Sequence, residues 1–262
     1  VEAGSGRLLA ERLRNTSRMN LETGIRGHIE TLERLGTRYC TTEGCRRALG
    51  YIEARLQDYG YTVERSVARW EGQSFSSPWA TKVGRGPALY LLTAHYDSIS
   101  QTKDGKLLDQ APGADDNATG VAVLLEVAKA LIGQTLKSGV GFVFFNVEEV
   151  GQHGSKQFAK EWKETGRRID GVINIDTIGT WPLSLQNGGQ VNYVSNPMSQ
   201  PLLDRVTASF AIPLKKAATP WEDDHASFWA EDFQAIELTE EGCTPVMHTP
   251  EDTSEKVDVP SV

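Results

Sequence analysis

Two carboxylates stand side by side in FVFFNVEEVGQHGS (142–155), where an apolar run from Phe142 to Val147 stops at Glu148 and Glu149. An isolated ionised carboxylate is costly to bury unless it is paired or binds a metal. Other apolar runs end in the same way. His95 and Asp97 close ALYLLTAHYD, Asp176 lies near the end of IDGVINIDTIG, Asp115 and Asp116 open DDNATGVAVLLEVAKALIG, and His248 lies in VMHTPEDT. Imidazoles and carboxylates without a thiolate suit zinc, with cobalt or manganese as substitutes. So many anionic groups around one crevice would repel each other without cations, and carboxylates can bridge two ions about 3.5–4 Å apart. The set predicts two divalent ions and metal-assisted hydrolysis.

Spacing suggests a division of roles. Positions i and i+2 of a strand share a face, so Asp97 stays near His95 and would orient a ligand rather than be one. Consecutive strand residues face opposite ways, but where the chain turns both glutamates could reach one crevice. One would bind metal. The other would take a proton from the attacking water and pass it to the leaving amine. A surface pair of glutamates in a loop is the plain alternative. For PGADDNATG the plain alternative is helix capping by Asp and Asn, with the helix amides steadying an acid at that junction.

The elements that must carry these residues alternate. Helical spacing covers 1–36 and GCRRALGYIEARLQDYGY, and TVERSVARWEG alternates as a strand. ALYLLTAHYD, GVGFVFFNVEE, IDGVINIDTIG and FQAIELTEEG read as strands, the first three of them apolar runs typical of strands buried on both faces. Helices are predicted from Asp115 to Gly133, in SKQFAKEWKETG and in QPLLDRVTASFAI. This pattern predicts an α/β fold: a three-layer α/β/α sandwich around a mostly parallel, mixed sheet. The sequence shows no repeat or linker, and one domain over 1–262 is expected. In such sheets ligands bind at the carboxyl ends of the strands, where most of the polar residues above fall.

The chain has 262 residues and a formal charge of −8, from 27 basic and 35 acidic residues, which argues against a nucleic-acid or anionic-membrane partner. No apolar run approaches the ~18 residues of a membrane span. Cys40 and Cys45 are spaced to close a small loop, and Cys243 is the odd one out. A Cys40–Cys45 disulfide would suit an oxidising compartment, and two reduced thiols are the other reading. The start at Val1 fits either a trimmed chain or a removed leader. A secreted or periplasmic monomer is the expectation.

The series TAHYDS, APGADDNATG, FNVEEVGQHGS, NIDTIG and HTPEDT, in that order and at those separations, resembles the M28 zinc aminopeptidases. The likeness runs from about Ala88 to Thr253, with a weaker match in RYCTTEGCRRALGYIEARL. It implies His95, Asp116, Glu149, Asp176 and His248 as ligands of two zinc ions, with Asp116 rather than Asp115 as the bridge. It implies Glu148 as general base and Asp97 as the acid next to the ligands. Asp115, Asp224 and His225 take supporting places. The family's oxyanion tyrosine has no counterpart: those positions hold Pro220 or Trp221, and Met247. A zinc ion would then polarise the carbonyl by itself.

The family includes enzymes that read either peptide end. A carboxypeptidase needs a cation to clamp the terminal carboxylate. From Ala217 to Glu255 there is no Lys or Arg, and many acids are present, which favours a substrate ammonium. Peptide or protein N-termini are therefore the expected substrates. Glutaminyl cyclase, a one-zinc transferase of this fold, is the runner-up. Such enzymes can carry serine after the bridging aspartate, where this chain has Asn117. Trp221, Phe228, Trp229 and Ile178 are candidate pocket walls, and His153 reads as a loop residue.

Overall fold

The computed structural model describes residues 2–179, 191–209, 213–218, 222–240 and 245–262. Eight strands form one sheet: β1 (Glu64–Trp70), β2 (Gln73–Lys82), β3 (Leu89–His95), β4 (Gly139–Phe145), β5 (Gly171–Ile175), β6 (Val191–Ser195), β7 (Leu214–Lys216) and β8 (Ala235–Thr239). Their spatial order is β1-β2-β4-β3-β5-β8-β6-β7. The central strands β4, β3, β5 and β8 run parallel. β2 and β6 join this core antiparallel, and β1 and β7 extend it.

The helices are α1 (Glu2–Glu33), α2 (Glu43–Asp58), α3 (Gly120–Ala130), α4 (His153–Thr165), α5 (Gln200–Ser209) and α6 (Asp224–Ala230). On one face Ile25, Ile29 and Leu32 of α1, Ala48, Ile52 and Leu56 of α2, and Val121, Leu124 and Leu125 of α3 bury against Ala94, Phe142 and Phe144. On the other, Phe158 and Trp162 of α4 and Phe228 of α6 pack on Leu91, Val143, Phe145 and Val172. The alternation of Phe142 and Phe144 with Val143 and Phe145 is the period-two pattern of a strand covered on both sides. The architecture is the three-layer α/β/α sandwich. Among the described residues no helix is long and apolar enough to cross a membrane.

Several local expectations change. The Asp115 helix does not begin there: Asp116 and Asn117 have non-helical backbone angles, and regular α3 starts at Gly120. The Asn117 side chain instead accepts from Gly120 N at 2.9 Å. Cys40 and Cys45 are both buried and free, so the expected disulfide is absent. Cys45 is fixed in the first turn of α2, where its amide is capped by Thr42 Oγ1, and its Sγ faces Asn146 Oδ1 at 3.5 Å. Burial first, then the charge of Asp97, pushes the Cys40 thiol up to about 12, far from a reactive thiolate. His153 starts α4 rather than lying in a loop, and its ring rests against Trp70. Phe228 is fully buried core, and the half-buried Trp229 packs beside it with its indole donating to Ala235 O at 2.9 Å. Ile178 is half-buried and packs on the core under α1–α3. Cys243, Pro220 and Trp221 lie outside the described residues.

Candidate metal centre

His95 ends β3, and Asp176 follows β5 directly. On these parallel neighbours Thr93 pairs with Asn174, so the residues two steps further on emerge on the same side of the sheet. His95 Nε2 lies 3.4 Å from Asp176 Oδ2 and 3.0 Å from Asp116 Oδ1. The second oxygen of Asp116 reaches His248 Nε2 at 2.9 Å, and Glu149 Oε2 reaches the same nitrogen at 2.9 Å. Two groups result, His95–Asp116–Asp176 and Asp116–Glu149–His248, each with its ligand atoms within 4.8 Å of one another. Asp116 belongs to both, one oxygen to each.

The neighbouring glutamates diverge because the strand ends in a kink. Val147 takes a left-handed φ of 58°, a costly conformation for a β-branched residue. Beyond it, Glu148 N and Glu149 N each donate to one oxygen of Asp97, at 3.3 Å. Asp97 thus splints the turn, and its carbonyl lies 3.2 Å from His95 Nδ1, nearer than its carboxylate at 3.6 Å. Glu149 joins the ligand group. Glu148 stands beside it, buried, and desolvation, with the charges of Asp224 and Glu149, raises its carboxyl well above the usual range against the opposing pull of His95. Two further left-handed residues mark the site: Thr177, next to Asp176, and His248 itself.

Asp115 stays out of both groups. Its Oδ1 accepts from Gly179 N at 2.9 Å and ties this segment to the chain after β5. His225 Nδ1 lies 2.5 Å from Glu237 Oε2, which also accepts from Asn174 Nδ2 at 3.3 Å, while Thr93 donates to Asn174 at 2.7 Å. A buried polar row therefore crosses β3, β5, β8 and α6 two residues below His95 and Asp176. Asp224 opens α6 fully buried, with neither carboxylate oxygen hydrogen-bonded among the described residues, and burial raises it to about 7.

Two supports were not read from the sequence. The Asp252 carboxylate accepts from Asp115 N at 2.8 Å and Asp116 N at 3.1 Å, and so holds the shared ligand where helix amides were expected to. Its place in HTPEDT was the available signal. Arg38, fully buried, donates to the carbonyls of Tyr96, Pro112 and Gly113 at 2.8, 2.5 and 2.8 Å, bracketing the chain on both sides of the site. No local pattern marks it.

The donor set fits divalent cations. Among the described residues Asp176 Oδ1 and Asp116 Oδ2 are buried without hydrogen bonds, although the latter lies 2.9 Å from an imidazole nitrogen. Oxygens and nitrogens crowded without hydrogen-bond alignment are what common coordination of an ion leaves behind. Electrostatics agree. Despite the opposing effect of burial, Asp116 and Glu149 raise His248 to about 11. Burial, then Asp116, raises Glu149 to about 7.

The chain spans 32% to 66% of the length of the curated leucine aminopeptidases it matches. Leucine aminopeptidase 1 of Aspergillus fumigatus is 27% identical over 270 residues, covering 91% of this chain and 66% of the relative. Among solved structures, the LapA aminopeptidase of Legionella pneumophila superposes with a TM-score of 0.77 at 17% identity, over 96% of this chain and 70% of its own. A glutaminyl cyclase of Bacteroides thetaiotaomicron reaches 0.72 at 16% identity, over 92% of each chain. At these identities the structures share the fold. The model of peptidase family M28 matches residues 79–262, the span that carries every ligand candidate above. The chain belongs to peptidase family M28.

Proposed function

We propose that the protein is a two-zinc aminopeptidase that removes the N-terminal residue of peptides. The observation that carries this reading is the pair of ligand groups sharing Asp116, His95–Asp116–Asp176 and Asp116–Glu149–His248. Membership of M28 and the likeness to leucine aminopeptidases support it. When bound, zinc would polarise the scissile carbonyl and acidify a water. Glu148 takes the proton of the attacking water and returns it to the leaving amine, and its burial suits it to hold a proton between the two steps. Asp97 keeps Glu148 and Glu149 in place through their amides. The absence of Lys and Arg from Ala217 to Glu255 favours a substrate ammonium over a carboxylate.

The test joins metal analysis to an assay. Two zinc ions per chain are expected, with chelator-sensitive release of amino acids from free but not N-acetylated peptides. Glu148→Gln should keep both ions and lose at least about a hundredfold in kcat. One zinc per chain with pyroglutamate formation, or equal cleavage of acetylated peptides, would overturn the reading.

A further inference from the structure

Gln152 lies four residues after the proposed base, at the mouth of α4, and its side chain turns back toward it. Gln152 Nε2 donates to Glu148 Oε1 at 3.1 Å, the one hydrogen bond to that carboxylate among the described residues. Behind the amide, Lys156 Nζ lies 3.4 Å from Gln152 Oε1 and 2.9 Å from Gly151 O. An ammonium can only donate, so Lys156 takes the amide oxygen and leaves the amide N–H toward Glu148. Main-chain bonds close the same turn, with Gly151 N and Gln152 N donating to Glu148 O at 2.8 and 2.9 Å.

The backbone shows that this side chain is kept at a cost. Gln152 has φ 54° and ψ 32°, left-handed, at the N-cap of α4, where its side chain makes no capping bond. A left-handed non-glycine residue costs roughly 1–2 kcal/mol. Glycine would sit there without strain, but it would place no amide on Glu148. Residues held against their backbone preference cluster where function requires them.

We propose that Gln152 is a positioning residue: its carboxamide, steered by Lys156, fixes one oxygen of the Glu148 carboxylate and leaves the other to exchange the proton. This rests on the reading of Glu148 as base. A glutamate without that anchor samples several rotamers, and the loss of one hydrogen bond to a charged group corresponds to about ten- to a hundredfold in rate.

The test uses zinc-loaded enzyme and a chromogenic leucine anilide. Gln152→Leu and Gln152→Gly should each lower kcat about ten- to a hundredfold, with KM and zinc content within about twofold. Gln152→Gly, which suits the left-handed backbone, covers the case in which Gln152→Leu folds poorly. Lys156→Met should show a smaller loss of the same kind. In a Glu148→Asp background, whose shorter carboxylate withdraws from the amide, Gln152→Leu should cost nothing further. A kcat within twofold of the parent in Gln152→Gly, a loss of zinc or a rise in KM in place of a fall in kcat, or an undiminished effect in the Glu148→Asp background would each overturn the proposal. Full turnover in Glu148→Gln would instead remove the base itself, so the two failures are distinguishable.

Discussion

Asp252→Ala tests how the shared ligand is held. The Asp252 carboxylate is buried and accepts from two buried amides, Asp115 N and Asp116 N. Alanine leaves both donors without a partner. Each orphaned buried donor costs about 1–3 kcal/mol, so the pair costs about 2–6 kcal/mol. A central value of about 4 kcal/mol lowers the melting temperature by about 8–16 °C for a domain of this size. Asn retains one carbonyl acceptor and should lose about half as much. Because Asp116 belongs to both ligand groups, the two metal sites should weaken together. The assay is differential scanning calorimetry of the metal-free protein, followed by zinc titration against a competing chelator. Melting within about 2 °C of the parent would refute the cost assigned to the orphaned amides. Weakening of one site alone would refute the sharing.

His28 and Gly154 give two further expectations. His28 is buried with Nε2 3.1 Å from Glu126 and Nδ1 2.6 Å from Tyr51. Burial lowers its pKa, partly offset by Glu126 and reinforced by Lys129 and Arg55. The unfolded chain therefore binds the proton more readily near the ordinary value of about 6.5. The associated stability is present above that value and is lost as the pH falls through it. Melting measured from pH 7.5 to 5.5, the window set by that value, should fall less in His28→Gln than in the parent, and equal slopes would sink the idea. An added Cβ at Gly154 would overlap the Asn146 carbonyl oxygen and come within 2.8 Å of Ser77 Oγ. Gly154→Ala should cost about 1–3 kcal/mol or more and lower kcat, since Asn146 leads into the turn that carries Glu148. An active variant with parental melting would contradict this.

The layer architecture was legible because buried parallel strands write continuous apolar runs, and the polar residues that end them, such as His95 and Asp176, stand out against that background. β2 escaped because QSFSSPWATK is rich in serine and contains Pro78. Its place between β1 and β4 comes from the two-residue turn at Glu71 and Gly72, both at positive φ, and from burial that no local pattern encodes. β7 is three residues long, too short for a periodic signal, and β6, as long as β5 and β8, carries Asn192 and Ser195 among its five residues. Asp252 acts across 136 residues of chain and Arg38 across 58 to 75, so neither partner could be found from spacing. The helix predicted from Asp115 starts later because Asp116 and Asn117 have non-helical backbone angles, Asp116 within both ligand groups and Asn117 accepting from Gly120 N at the start of α3.

The imidazole of His95 lies near three carboxylates and that of His248 near two, and against the effect of burial their charge raises both pKa values above the ordinary histidine range. Carboxylate charge at the centre is thus answered either by imidazolium or by a cation. Filling the centre is therefore an exchange, in which each arriving cation evicts a proton from the nitrogen it takes.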